Sequence, residues 1–336
     1  MSQKPVKQDT LIDRFGRRVT YLRISVTDRC DLRCAYCMSE DMTFVPRAQI
    51  LSLEEQAFVA SAFVELGVEK IRITGGEPLV RRNVMQLIRE LGSLAGLREL
   101  VMTTNGTQLA RHAQDLQEAG VRRINLSLDS LRPERFRRIT RFGDLERVMA
   151  GLRAAQAAGF EAIKLNAVVL KHYNHDEVCD LVRFAVDEGL DISFIEEMPL
   201  GLIGEHDRAL AYYSSDEVRQ DVERVFELDP TTDSTGGPSR YFRVRGTATR
   251  VGFISPHSHN FCASCNRVRL TAEGRLLLCL GQEHSKDLRH VVRGNPGNLE
   301  VLKAAIVAAM DIKPEGHDFD LGARPVILRH MSVTGG

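Results

Sequence analysis

Between Tyr21 and Met198 short β-type runs alternate with amphipathic helical runs, the pattern of repeated βα units built on parallel strands. Six units are predicted, with strands near 21–26, 69–74, 99–103, 123–129, 162–169 and 191–197. Ser52 with Glu55 reads as a capping box ahead of an apolar stripe through Val59, Phe63 and Leu66, and Gly67 supplies the stop. Asn83, Asp144 and Asp176 read as further N-caps, and Gly92, Gly159 and Gly189 as further stops. Right-handed crossovers roll such an α/β sheet into an incomplete (β/α)6 barrel of the TIM type rather than an eight-stranded one.

Strand phase adds more than strand count, because successive side chains point alternately to the helix layer and to the barrel interior. Leu22, Ile24, Val26, Ile71, Ile73, Ile124, Leu126, Leu128, Ile163 and Leu165 share the helix-facing phase. The opposite phase holds Arg23, Ser25, Arg72, Thr74, Thr103, Asn125, Ser127, Asp129, Lys164 and Asn166, which makes the lumen polar. An ordinary barrel fills its lumen with branched apolar residues. Three inward cations with few inward acids imply a large anionic ligand, since buried charges without partners are costly. An open sheet with one wet face is the alternative, and the sixth strand shows no clear phase.

Residues 229–240, DPTTDSTGGPSR, break the periodicity and read as a linker, dividing the chain into a barrel over 1–228 and a smaller domain over 229–336. In the latter, RVRL and RLLLCL around Ala272, Glu273 and Gly274 predict a hairpin, and Asn298 caps a last helix to about Met310. With 43% hydrophobic and 27% charged residues and a formal net charge of zero, the chain reads as a globular protein without a general nucleic-acid surface. No apolar run reaches membrane-spanning length and MSQKPVKQDT lacks a signal-peptide core, so a cytoplasmic location without membrane association is expected.

A reducing compartment turns attention to the seven cysteines as metal or catalytic groups rather than disulfides. Cys179, alone in an apolar helical pattern, reads as a buried inert thiol. Cys30, Cys34 and Cys37 follow the first strand, in the loop at the rim where barrel active sites form. Three thiolates can hold a four-iron cluster and leave one iron open, whereas zinc completed by a distant histidine is the alternative. Cys262, Cys265 and Cys279 supply a second set, for which zinc with His257, His259 or His284 stays open. Strand alternation puts Cys265, Arg267 and Arg269 on one face, and paired guanidinium forks match polyphosphate.

The first cysteine motif, with Tyr36 before its third cysteine, resembles that of the radical S-adenosylmethionine (SAM) superfamily, and Thr74-Gly75-Gly76-Glu77-Pro78 resembles its glycine-rich turn for the SAM amino group. Together LRISVTDRCDLRCAYCM, IRITGGEPLVRR, TTNGT, INLSLDS, FIEEMPLG, NFCASCNRVRLT, Cys279 and the Gly335-Gly336 end resemble the GTP 3′,8-cyclase family over nearly the whole chain. The resemblance implies two 4Fe-4S clusters, the first on Cys30, Cys34 and Cys37 and the second, on the substrate side, on Cys262, Cys265 and Cys279. It places Tyr36, Gly76, Ser127 and Met198 around SAM, and Arg23, Arg72, Thr103, Lys164, Arg267, Val268 and Arg269 around GTP. The implied activity, the first step of molybdenum cofactor biosynthesis, removes hydrogen from C3′ of GTP and joins C3′ to guanine C8. No protein acid or base is implied. An electron donor such as flavodoxin or ferredoxin and a downstream cyclic pyranopterin monophosphate synthase are implied as partners, and a homodimer is compatible. Ser193 stands where many members have an arginine, and the Gly-Gly end is implied to enter the barrel. The rivals are another two-cluster radical-SAM enzyme, such as a peptide-modifying maturase, and a zinc-binding regulatory protein.

Overall fold

In the computed structural model, which describes residues 10–201, 203, 206–319, 327 and 329–335, the alternating pattern becomes alternating elements. They are β1 (Tyr21–Ser25), α1 (Leu53–Glu65), β2 (Lys70–Thr74), α2 (Val84–Gly92), β3 (Glu99–Thr104), α3 (Leu109–Glu118), β4 (Val121–Ser127), α4 (Pro133–Thr140), α5 (Leu145–Ala158), β5 (Ala162–Val168), α6 (Val178–Asp187) and β6 (Asp191–Ile195). The six strands run parallel and pair in chain order, so the six-unit partial barrel is present. The helix-facing phase, from Leu22 and Ile24 to Ile163 and Leu165, is buried in one core cluster with Val59, Phe63 and Leu66 of the α1 stripe.

Local signals hold where nothing competes with them. The Ser52 hydroxyl accepts from Glu55 N at 3.1 Å, and the Glu55 carboxylate accepts from Ser52 N at 2.7 Å. Asp144 caps α5 through Glu146 N at 3.0 Å, and Gly159 ends that helix in the left-handed region at φ 74°. Three expectations are corrected. Asn83 precedes α2 at φ 62° and makes no side-chain cap bond. Asp176 lies inside a short 3-10 turn with its carboxylate bonded to Arg135, so α6 starts at Val178. Gly92 is the last residue of α2 rather than a left-handed stop, and its missing Cβ makes room for the Ala119 carbonyl, 2.0 Å from where that carbon would stand.

The rest of the chain supplies α7 (Arg208–Ala211), α8 (Ser215–Glu223), β7 (Leu228–Pro230), β8 (Arg240–Val244), β9 (Arg250–Ile254), β10 (Arg267–Leu270), β11 (Arg275–Leu277), β12 (Ser285–Asp287), α9 (Leu288–Gly294), α10 (Leu299–Ala309) and α11 (Met331–Thr334). β9 pairs parallel with β6 and β10 pairs parallel with β1, each followed outward by antiparallel strands. One sheet therefore runs β12-β11-β10-β1-β2-β3-β4-β5-β6-β9-β8-β7. The segment read as a linker is a strand end and the connection between the antiparallel strands β7 and β8. The hairpin around Glu273 and the Asn298 cap form as expected, although α11 follows that helix. Cys179 is half-buried rather than buried, its thiol donating to the Asp221 carbonyl at 3.3 Å. No helix among the described residues is long and apolar enough to cross a membrane.

α3 and α5 lie against each other at Gly151, where an added Cβ would sit 2.4 Å from the Gly106 carbonyl oxygen. Helix propensity alone favours Gly151→Ala by about 1 kcal/mol, whereas overpacking costs about 1 to 3 kcal/mol. The substitution should therefore destabilise the protein, read as a lower midpoint in urea unfolding. A raised midpoint would show that the two helices move apart freely.

Candidate functional site: two cysteine groups on one polar lumen

Strand register sets the charges. Arg23 of β1 lies level with Arg72 of β2 on one side and Arg269 of β10 on the other. Two residues earlier, Tyr21 lies level with Lys70 and Arg267. Neighbouring strands are about 4.8 Å apart, so the first row is three guanidinium groups wide. These side chains open into a cavity that is also lined by Thr103, Lys164, Val268, Met198, Cys262, Cys265 and Cys279. The side chain of Val268 is buried in the core, which leaves its main chain to face the cavity.

A second cavity is lined by Cys30, Cys34, Cys37, Tyr36, Ser127, Asp129 and Met198 among others. Asn166, Ile195 and Met198 line both cavities, so the two abut. Gly76 lines neither. Its amide donates to the Thr27 carbonyl at 2.8 Å, and a Cβ there would stand 2.4 Å from the Arg29 carbonyl, so it packs the glycine-rich turn against the loop that leads to Cys30.

The first cysteine loop is held from several sides. Arg33 and Ala35 amides donate to Thr140 and Ile139 carbonyls at the end of α4. Leu32 N and Asn105 Nδ2 point at Cys30 Sγ, 3.4 and 3.6 Å away. The Tyr36 hydroxyl donates to Asp129 at 2.8 Å. Burial pushes the Cys30 and Cys34 thiols well up and Cys37 to about 12, so thiolates here need a bound cation. Among the described residues no three His, Cys, Asp or Glu side chains converge closely enough for a single metal ion. A four-iron cube spreads its thiolate ligands more widely than one zinc ion does, and both cysteine groups face cavities with room for it. His257 Nε2 is spent on the Glu197 carbonyl at 2.9 Å and His259 on Asp216 at 3.0 Å.

Crowding shows in the proton affinities of the cations. Burial, then Arg267, lowers Arg269 to about 10, and burial with Arg269 lowers Arg23 well below its ordinary value. Burial also lowers Lys164, which donates to the Tyr241 hydroxyl at 3.1 Å. Arg72 donates to Thr103 Oγ1 at 3.0 Å and to the Tyr21 hydroxyl. Arg269 and Arg23 both donate to the carbonyl of Gly335, placing that residue in the lumen, where its Cβ position would be 2.3 Å from Thr74. Gly336 lies outside the described residues. Ser193 is fully buried, its hydroxyl 3.0 Å from that of Ser239, and Gly252 leaves the space for this pair.

The Radical SAM superfamily profile matches residues 24–185, and the Molybdenum Cofactor Synthesis C profile matches residues 190–319. A protein of Pseudomonas entomophila named GTP 3′,8-cyclase is 61% identical, over 97% of this chain and 98% of its own length. One of Saccharophagus degradans with the same name is 57% identical, over 98% of this chain and 100% of its own. The chain belongs to the GTP 3′,8-cyclase family. A solved structure of Streptococcus suis SuiB bound to S-adenosylmethionine matches with a TM-score of 0.62 at 17% identity, covering 85% of this chain and 66% of that one, a likeness of fold alone. In this GTP 3′,8-cyclase family member the second profile begins at β6 and includes β10, which brings Arg267 and Arg269 to the other side of the sheet, beside β1.

Tyr21 and Lys70 went unread in the sequence, although both continue the phase of Arg23 and Arg72. Burial would raise the Tyr21 hydroxyl, but Arg72, Arg23 and Lys70 outweigh it and lower the pKa from 10.0 to about 7. A depressed folded-state value means that Tyr21 adds stability as pH rises from about 7 to about 10. Ultraviolet titration of the cluster-free protein should show Tyr21 ionising near pH 7, ahead of Tyr241, which burial raises but Lys164 and its hydrogen bonds lower to about 8, and Tyr21→Phe should lose the earlier phase. If every tyrosine ionises near its ordinary value, the three cations do not act on Tyr21 as the geometry requires.

Proposed function

We propose that this chain converts GTP into 3′,8-cyclo-7,8-dihydro-GTP, the opening step of molybdenum cofactor biosynthesis, as a radical-SAM lyase with two 4Fe-4S clusters. The observation that carries the reading is the pair of abutting cavities, each with three cysteines, one of them crossed by a row of arginines. Cys30, Cys34 and Cys37 hold the SAM-cleaving cluster, with Tyr36, Ser127 and Met198 beside SAM and Gly76 shaping the turn behind it. Cys262, Cys265 and Cys279 hold the second cluster against the guanine ring. Arg23, Arg72, Thr103, Lys164, Arg267 and Arg269, with the main chain of Val268, hold GTP, chiefly its phosphates.

When bound at Cys30, Cys34 and Cys37, the first cluster with SAM would supply the radical chemistry that removes the C3′ hydrogen of GTP so that C3′ can join C8, and the electron that completes the product would come from the external electron donor, with a proton from solvent. The chain's own contribution is placement. Guanidinium forks grip phosphate oxygens in defined geometry, which fixes the ribose relative to the cavity shared through Asn166 and Met198. Ile195, Met198 and Met331 give the junction an apolar wall that limits water and competing hydrogen-atom donors. Gly335 meets the same arginines through its carbonyl, so the tail and the phosphates address one set of donors. A family arginine at Ser193 is replaced by a hydroxyl already bonded to Ser239, which leaves phosphate binding to the rows around Arg23 and Tyr21.

The reading includes a division of the chain near 228/229, a cytoplasmic location, an electron donor of the flavodoxin or ferredoxin kind, a cyclic pyranopterin monophosphate synthase as consumer of the product, and scope for a homodimer. A peptide-modifying maturase would share both clusters without needing the arginine rows.

Replacing Arg267 or Arg269 by alanine removes a charge-assisted contact of about 1.5 to 3 kcal/mol, so GTP should bind about 10- to 150-fold more weakly in calorimetry under anaerobic conditions. Guanosine should bind unchanged. Replacing Cys30, Cys34 and Cys37 together should abolish 5′-deoxyadenosine production while the second cluster's iron remains. Normal GTP affinity in both arginine variants sinks the phosphate assignment, and retained deoxyadenosine sinks the cluster assignment.

A further inference from the structure

Residues 313–319 lie across the second cysteine group. A Cβ at Gly316 would stand 3.6 Å from Cys262 Sγ, and His317 and Phe319 pack on Gly281, just beyond Cys279. Arg17, ion-paired with Asp13 at 2.6 Å, pins this segment by donating to the carbonyls of Pro314 at 2.6 Å, Glu315 at 2.6 Å and Cys262 at 2.9 Å. Beneath the strap is Lys313, only 1% exposed. Its ammonium donates to the Leu278 carbonyl at 3.1 Å and stands 3.9 Å from Cys265 Sγ. Lys70 and Lys303 have carboxylate partners, but among the described residues none pairs with Lys313.

A buried ammonium whose one full hydrogen bond goes to a neutral carbonyl is expensive unless negative charge lies close by. The nearby groups able to supply it are the thiols of Cys265, Cys279 and Cys262. As neutral thiols they would leave the lysine uncompensated, whereas as thiolate ligands they offset it. We infer that Lys313 is a positioning residue of the second cluster, its ammonium donating to the Cys265 thiolate, securing the cluster in the chain and making it easier to reduce. Reduction adds negative charge to the cluster, and a fixed positive charge with an N–H···S bond favours the more negative state, so the potential rises. Arg267 also reaches Cys265, but it lines the open nucleotide cavity, where phosphates compete for its charge, whereas Lys313 is buried under the strap.

The inference rests on the reading of Cys262, Cys265 and Cys279 as cluster ligands, and the test separates the two. Full-length chain with Cys30, Cys34 and Cys37 replaced by alanine, reconstituted anaerobically with iron and sulfide, carries the second cluster alone. Its iron content and its midpoint potential, followed by electron paramagnetic resonance during reduction with dithionite, are compared for Lys313, Lys313→Arg, Lys313→Gln and Lys313→Met. Gln keeps a donor without charge, Met keeps length without either, and Arg keeps both. The expected result is a potential near that of the parent for Arg and a more negative one for Gln and Met, by about tenfold in the reduced-to-oxidised ratio, or about 59 mV for one electron. Loss of iron from Met and Gln but not Arg supports the inference equally. Parent-like potentials in Gln and Met overturn it, as does equal loss of iron from all three variants, which would make Lys313 a packing residue. A parent chain that binds no iron overturns the cluster reading itself.

Discussion

Parallel pairing of β10, β1 and β2 forces Arg269, Arg23 and Arg72 to share one level of a narrow lumen. Like charges at adjacent strand spacing repel, and burial removes the water that would screen them. The cost is visible in the lowered proton affinity of Arg23 and Arg269, and in a tyrosine made acidic beside them. A sheet built this way is kept ready for an anion. Among the described residues the Tyr21 and Thr103 hydroxyls and the Gly335 carbonyl accept from these cations, and none carries the charge of a triphosphate.

Each cysteine group sits where the backbone leaves the sheet next to that row. The first follows β1 and is clamped to the end of α4, while the second precedes and follows the β10–β11 hairpin. Carboxylates lie around the first group, at Glu77, Asp31 and Asp129, and cations lie around the second, at Arg267 and Lys313. The same three-thiol arrangement is thereby placed in opposite electrostatic settings. Burial and its carboxylates raise the Cys30 thiol, whereas Arg267 and Lys313 lower Cys265 despite burial.

Period-two alternation made the lumen legible in the sequence, because Arg23, Arg72, Lys164 and Asn166 have to fall on the face opposite Ile24, Ile73, Ile163 and Leu165. The cysteine spacings carried the rest of the site. Long-range pairing left no comparable trace. Nothing local to RVRL says that it lies parallel to β1, and a Pro-Gly-Ser stretch between two antiparallel strands has the same composition as a linker. The sixth strand looked phaseless because its inward face mixes Asp191, Ser193 and Ile195, one apolar residue lining both cavities. Asp176 had the sequence of a cap, but an ion pair with Arg135 claimed its carboxylate. Lys313 went unread in the sequence, since its burial lies under a strap whose carbonyls Arg17 holds from another part of the chain.

The pairing of β1 with β10 also fixes an order of events during synthesis. β1 emerges early, yet the strand that covers its free edge is made only after β2 to β9. Until then the half-barrel presents an unpaired row of amides and carbonyls, the kind of edge on which chains join one another. Closing that loop is entropically slow, as for any contact between residues so far apart in the chain. The arginines at Arg23 and Arg72 give the waiting edge a charged inner face, so the side chains that later line the lumen also oppose self-association while the barrel is incomplete.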